Sequence, residues 1–73
     1  MNFNYQATGT LKAHFELTDT KSIILVERVG GLGLEYVVSF YFQGRSEWES
    51  GQYFASYQEA TAEFENRIDS SLV

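Results

Sequence analysis

Very few side chains in this sequence have the type or the spacing that catalysis requires. The 73 residues include one histidine, His14, and no cysteine. Zinc sites and nucleophile–base pairs need several such groups together. The carboxylates also lack the spacing of a calcium-binding loop. We therefore expect no enzymatic activity, no catalytic residue, no metal site and no cofactor.

Two titratable residues and one glycine-rich segment remain as chemical candidates. His14 lies on the polar side of an alternating segment, which favours a solvated imidazole. Glu27 is predicted to face the packed side of a sheet, opposite Tyr36. It is either an acid available to a substrate or, as we favour, a carboxylate bonded to a tyrosine hydroxyl or to Arg67. The segment 30–33 lacks the lysine and the following helix of a phosphate-binding loop, and it indicates a turn.

A central β-hairpin is the element that must position these groups. Two segments rich in β-branched and aromatic residues, 22–29 and 34–43, flank the glycine-rich turn. A two-residue type II′ turn at Gly31-Leu32 sets the register, and a facing pair of opposite charges supports it. The predicted pairs are Val29 with Leu34, Arg28 with Glu35, Leu25 with Val38 and Ile23 with Phe40.

Strands are also predicted on both sides of this hairpin. Residues 3–17 alternate between apolar and polar types, which predicts a long strand that bends at Gly9. A turn at residues 18–20 then continues into the hairpin. A fourth strand over residues 46–54 is predicted after a turn at Gly44-Arg45, with residues 44–51 as a loop in the alternative. The predicted pairs are Ala13 with Leu25, Phe15 with Ile23, Trp48 with Tyr41 and Tyr53 with Tyr36.

The last part of the chain predicts an amphipathic helix over residues 57–69. Ser56 and Glu59 have the spacing of a capping box, and Glu63 and Arg67 are four residues apart. The predicted fold is therefore α+β, ββββα: an antiparallel β-meander of four strands, or three, with the helix on one sheet face. We expect one domain over residues 1–73.

A single helix covers only one face of such a sheet, so the other face, which is also apolar, is left uncovered. A contiguous exposed apolar patch typically marks a binding surface, although the N-terminal segment folding over that face is the alternative. The predicted partner-binding residues are Ile24, Val26, Val37, Tyr41 and Trp48.

The composition limits the classes of partner. A net charge of −5 and five scattered basic residues disfavour nucleic acid and membrane surfaces. The segment at residues 1–6 lacks the features of a signal peptide, and no stretch is long and apolar enough to span a bilayer, so we expect a cytoplasmic protein. The leading hypothesis is a small acidic interaction module that binds a protein, or its own copy as a homodimer, through the uncovered face or an edge strand. The alternatives are an acidic inhibitor that imitates nucleic acid with its C-terminal helix, and a single-strand binder that uses the sheet aromatics Tyr41, Trp48 and Phe54.

Overall fold

The computed structural model describes residues 3–31 and 33–72. They form one antiparallel sheet whose four strands neighbour each other in chain order, followed by one helix. The predicted α+β architecture, ββββα, is therefore confirmed. The elements are β1 (Thr10–Glu16), β2 (Lys21–Gly30), β3 (Gly33–Phe42), β4 (Glu49–Phe54) and α1 (Tyr57–Ser71).

The central hairpin has the predicted register. All four predicted pairs, from Val29 with Leu34 to Ile23 with Phe40, are present between β2 and β3. Arg28 Nε lies 3.1 Å from Glu35 Oε2, so the facing charges form an ion pair. The predicted type II′ turn is wrong, because Gly31 lacks the positive φ that this turn needs at its first central position. Leu32 lies outside the described residues, and Gly33 instead has a φ of 113°, which favours glycine.

The first strand is shorter than predicted. It begins at Thr10, and residues 3–9 form no strand. Gly9 has a φ of 87°, which turns the chain out of the ladder before β1. Ala13 and Phe15 pair with Leu25 and Ile23 as predicted, but a bulge between Leu11 and Ala13 shifts the register. As a result, Leu11 packs on the opposite sheet face from Ala13.

The predicted register of the fourth strand is wrong. Tyr53 pairs with Val37 rather than Tyr36, and Trp48 precedes β4 instead of lying in it. Two features displace the strand. Residues 43–48 make a longer connection than a two-residue turn, and Ser50 has a φ of 57°, which places an irregularity within β4.

The helix forms one hydrophobic core with the sheet. Ser56 Oγ accepts a hydrogen bond from the Glu59 amide at 3.4 Å, as the capping pattern predicts. Ala60 is fully buried against the sheet. The buried members of this core are Ile23, Leu25, Val38 and Ala60, and the half-buried residues around them include Phe40, Phe54, Phe64 and Ile68. Within the described ranges, α1 lacks the length and apolarity needed to cross a membrane.

A second core lies on the other face of the same sheet. Ile24, Val26, Val37 and Tyr41 each have a relative exposure of 0%. The residues that pack over them lie outside α1: Phe3, Tyr5 and Ala7 of the N-terminal segment (residues 3–8), Leu11 of β1, and Trp48. The prediction of an uncovered apolar face is therefore wrong. Because Gly9 releases the chain from the sheet edge, residues 3–8 are free to cross this face and bury it.

Candidate functional site

The hydroxyl of Tyr41 fastens the cover of the second core. It accepts a hydrogen bond from the Gln6 amide at 2.9 Å and donates one to the Arg45 carbonyl. The rings of Phe3 and Tyr5 lie 5.9 Å and 4.9 Å from the Tyr41 ring. Burial, with a smaller contribution from Tyr41, raises the pKa of Tyr5 to about 12. The N-terminal segment thus packs against Tyr41 through both aromatic and polar contacts.

The five predicted partner-binding residues are brought together, but inside the protein. Ile24, Val26, Val37 and Tyr41 form the buried centre of the second core, and Trp48 is half-buried at its margin. A Cβ at Gly51 would lie 2.9 Å from the Trp48 indole nitrogen, which shows how closely that ring approaches β4. These side chains therefore form a core cluster rather than an exposed patch, and Tyr41 is not available to stack on a base.

Glu27 and His14 lie in separate places. Glu27 lies opposite Tyr36 across the hairpin, close enough for its carboxylate to affect the phenol of that residue. Burial, followed by the charge of Glu27, raises the pKa of Tyr36. His14 is exposed on β1, and the Phe3 ring stacks on its imidazole at a centroid distance of 4.1 Å. Within residues 3–31 and 33–72, no three His, Cys, Asp or Glu side chains are grouped to hold a metal ion.

Three of the five basic residues, which are scattered in sequence, converge on two aromatic rings. Lys21 Nζ lies 4.6 Å from the Phe40 ring centre and the Arg67 guanidinium carbon lies 5.1 Å from it. Arg45 lies over Phe42. Arg67 Nε also forms the predicted ion pair with Glu63, at 2.8 Å. These cations cover aromatic carbon at the sheet surface, and the guanidinium of Arg67 already has an anionic partner.

Three of the four acidic side chains of α1 are exposed. Glu63 is half-buried in its pair with Arg67, whereas Glu59, Glu65 and Asp69 are exposed. Of the four acids that would imitate nucleic acid on this helix, Glu63 is thus already paired and the other three remain. They are spread over several turns, which matches an ordinary solvated helix face.

The largest exposed apolar side chains lie away from the predicted patch. Val29 and Leu34, a cross-strand pair at the turn end of the central hairpin, have relative exposures of 78% and 53%. Tyr53 on β4 is also 53% exposed. Its ring lies beneath the Arg28 guanidinium at 5.9 Å. Tyr57 at the start of α1 and Leu72 after its end are also exposed, at 47% and 69%, so the exposed apolar side chains do not form one patch.

The outer edge of β1 has outward backbone groups that no neighbouring strand pairs with in the described part of the chain. The helix α1 packs on β2, β3 and β4, and no strand lies beyond β1 in the described part of the chain. The Leu17 amide donates to the Lys21 carbonyl at 2.9 Å. Because backbone groups alternate in direction along an antiparallel strand, those of Phe15 also face β2, and those of His14 and Glu16 face outward.

The opposite edge, β4, is less regular. Ser50 interrupts this strand with its positive φ, and the strand leads directly into the N-cap of α1 at Ser56. In β1 the bulge lies near the start and leaves Ala13–Glu16 in register with β2. The backbone of β1 is therefore the better template for a further strand.

No known protein family model matches this chain. Comparisons with curated proteins and with solved structures likewise find no match. The candidate site therefore depends on the geometry of the chain itself.

The sequence patterns favoured an uncovered second face, with a cover by the N-terminal segment as the alternative, and they indicated an edge strand without distinguishing β1 from β4. The signal for the cover was Gly9, which interrupts an otherwise continuous alternation. No local pattern distinguished the edge of β1 from that of β4, because the irregularities of both strands arise in the assembled sheet.

Proposed function

We propose that this chain is a small, non-enzymatic interaction module that binds another polypeptide by adding a strand to the outer edge of β1. The observation that supports this proposal best is that α1 and the N-terminal segment cover the two sheet faces. Because both faces are covered, the unpaired backbone edge of β1 is the surface that remains for a partner strand. Adding a strand to a sheet edge is a recurrent mode of peptide recognition.

The outward backbone groups of His14 and Glu16 would supply the main-chain hydrogen bonds to the partner. The exposed side chains of these residues and of Lys12 would contact the partner strand and select its sequence. The bulge beside Lys12 limits the pairing to a short stretch, because a bulge disrupts the ladder locally. We therefore expect modest affinity and transient binding.

An edge-blocking substitution tests this proposal. In Glu16→Pro the outward N–H of residue 16 is replaced by a proline ring, while the bonds from Phe15 and Leu17 to β2 are kept. Partners captured from a cell extract by the intact chain should be lost with this variant, whose folding is checked by its circular dichroism and melting temperature.

A matched variant on the helix separates this proposal from its main alternative. Glu65→Lys changes an exposed charge on α1, so it should leave edge-dependent capture unchanged. If Glu65→Lys loses the partners and Glu16→Pro keeps them, the acidic helix is the binding element, as expected for an acidic inhibitor. If both variants and the intact chain capture the same partners, the β1 edge is not the site.

A further inference from the structure

We propose that the strand added to β1 is β1 of a second copy, running antiparallel, with the two Phe15 residues facing each other on the two-fold axis. This inference rests on the proposed function, because it names the occupant of the same edge. It would join the sheets of two copies into one continuous sheet. A two-fold arrangement of this kind is the commonest form of homo-oligomer.

The backbone directions restrict the register to few choices. Only residues with outward N–H and C=O groups can form hydrogen-bonded pairs across the new edge. In the regular part of β1 these are His14 and Glu16. An antiparallel self-pairing can therefore place His14 opposite His14, Glu16 opposite Glu16, or His14 opposite Glu16.

The side chains select the third register. Pairing Glu16 with Glu16 places two carboxylates opposite each other, which is unfavourable. Pairing His14 with itself brings Glu16 opposite Lys12, at the bulge, where the ladder is irregular. Pairing His14 with Glu16 uses only residues beyond the bulge. It also occurs twice by symmetry, so two imidazole–carboxylate pairs form.

The side chains of the two residues already lie on one face of the sheet. His14 is opposite Ile24 and Glu16 is opposite Ser22, which are both buried on the second face. Both β1 side chains are themselves exposed. The stacked Phe3 ring supports the His14 imidazole from one side, and the edge remains open for a carboxylate. On the other face the half-buried Phe15 rings of the two copies would pack together, because facing residues in a non-hydrogen-bonded pair are close.

Sedimentation equilibrium of the full chain tests whether the dimer forms. We expect the average mass to rise toward that of a dimer as the protein concentration increases from about 10 µM to about 1 mM. This concentration range, about 10 µM to about 1 mM, covers the dissociation constants expected for a small interface. In parallel, hydrogen exchange at the His14 and Glu16 amides should slow with concentration. Exchange at the Phe15 amide, which faces β2 within one copy, should not change.

A charge exchange tests the register. His14→Glu places like charges opposite each other twice, and Glu16→Lys removes both carboxylates, so each should weaken association about tenfold. The double variant His14→Glu, Glu16→Lys restores opposite charges and should recover association to within about threefold of the original. Glu65→Lys, which makes the same charge change on α1, should associate as the unmodified chain does.

Each outcome decides the proposal. A monomer at every concentration overturns the self-pairing, whereas partner capture that is lost in Glu16→Pro would still support the proposed function. A dimer that both single variants leave intact, or that the double variant fails to restore, overturns the register. Loss of association in Glu65→Lys as well would trace the effect to net charge and overturn the pairing of His14 with Glu16.

Discussion

The phenolic oxygen of Tyr41 accepts a hydrogen bond from the backbone amide of Gln6, 2.9 Å away. The same hydroxyl donates to the Arg45 carbonyl, so one buried group on β3 holds both the N-terminal segment and the β3–β4 connection. Buried hydroxyls of this kind contribute most through the cost of leaving their partners unsatisfied. Tyr41 is therefore a structural anchor of the second core.

Replacing this anchor should loosen the cover without removing the ring. Tyr41→Phe deprives the Gln6 amide and the Arg45 carbonyl of their partner, and we expect the free energy of unfolding to fall by about 1–3 kcal/mol. Urea denaturation measures this change, and hydrogen exchange at Gln6 should accelerate. Tyr53→Phe, at an exposed tyrosine, should change stability little. Equal effects of the two substitutions would contradict the anchoring role of Tyr41.

Gly9 should tolerate no side chain. Its φ is 87°, and an added Cβ would lie 2.5 Å from Val26 Cγ1 and 2.8 Å from the Glu27 carbonyl oxygen. We expect Gly9→Ala to lower the free energy of unfolding by about 1–3 kcal/mol through backbone strain and the displaced neighbours. Gly31→Ala is the matched control, because no atom lies within 4 Å of its added Cβ. A Gly9→Ala variant as stable as this control would show that the chain leaves β1 by another path.

Trp48 should contribute to stability rather than form a free anchor. The half-buried indole packs against the second core, so Trp48→Ala removes apolar contacts and should cost about 2 kcal/mol, less than a fully buried tryptophan. Trp48→Phe should recover part of that loss. Thermal and urea denaturation measure both variants. Unchanged stability in Trp48→Ala would instead return the ring to the list of candidate binding residues.

Alkaline conditions should weaken the second core. Because the fold raises the pKa of Tyr5 from 10.0 to about 12, the folded chain retains a proton that the unfolded chain loses. This contribution to stability is complete below pH 10 and is lost as the pH rises through about 12. We expect the free energy of unfolding to fall more steeply between pH 9 and pH 11.5 for the intact chain than for Tyr5→Phe. Identical slopes would show that Tyr5 is as exposed in the folded chain as in the unfolded one.

Local sequence patterns were enough to predict the central hairpin and the helix. The register of Arg28 with Glu35 followed from one turn and a pair of facing charges, and Ser56 marked the start of α1 through its capping spacing. These features depend on residues a few positions apart or on strands joined by a short turn, so the sequence already contains the interactions that determine them.

Alternating apolar and polar residues occur both in a strand and in a segment without strand structure that packs its apolar side on a sheet face. The alternation therefore predicted a strand over residues 3–9, which is wrong. It also predicted that Phe3, Tyr5 and Ala7 share an apolar side, which is correct. Which surface they cover depends on Gly9, on the bulge beside Lys12 and on a hydroxyl 35 positions further along the chain. Such contacts arise only when distant segments meet, because burial is a property of the assembled chain. The same reason explains why the five residues predicted as a binding patch belong to a core, and why only the tertiary structure distinguished the edge of β1 from that of β4.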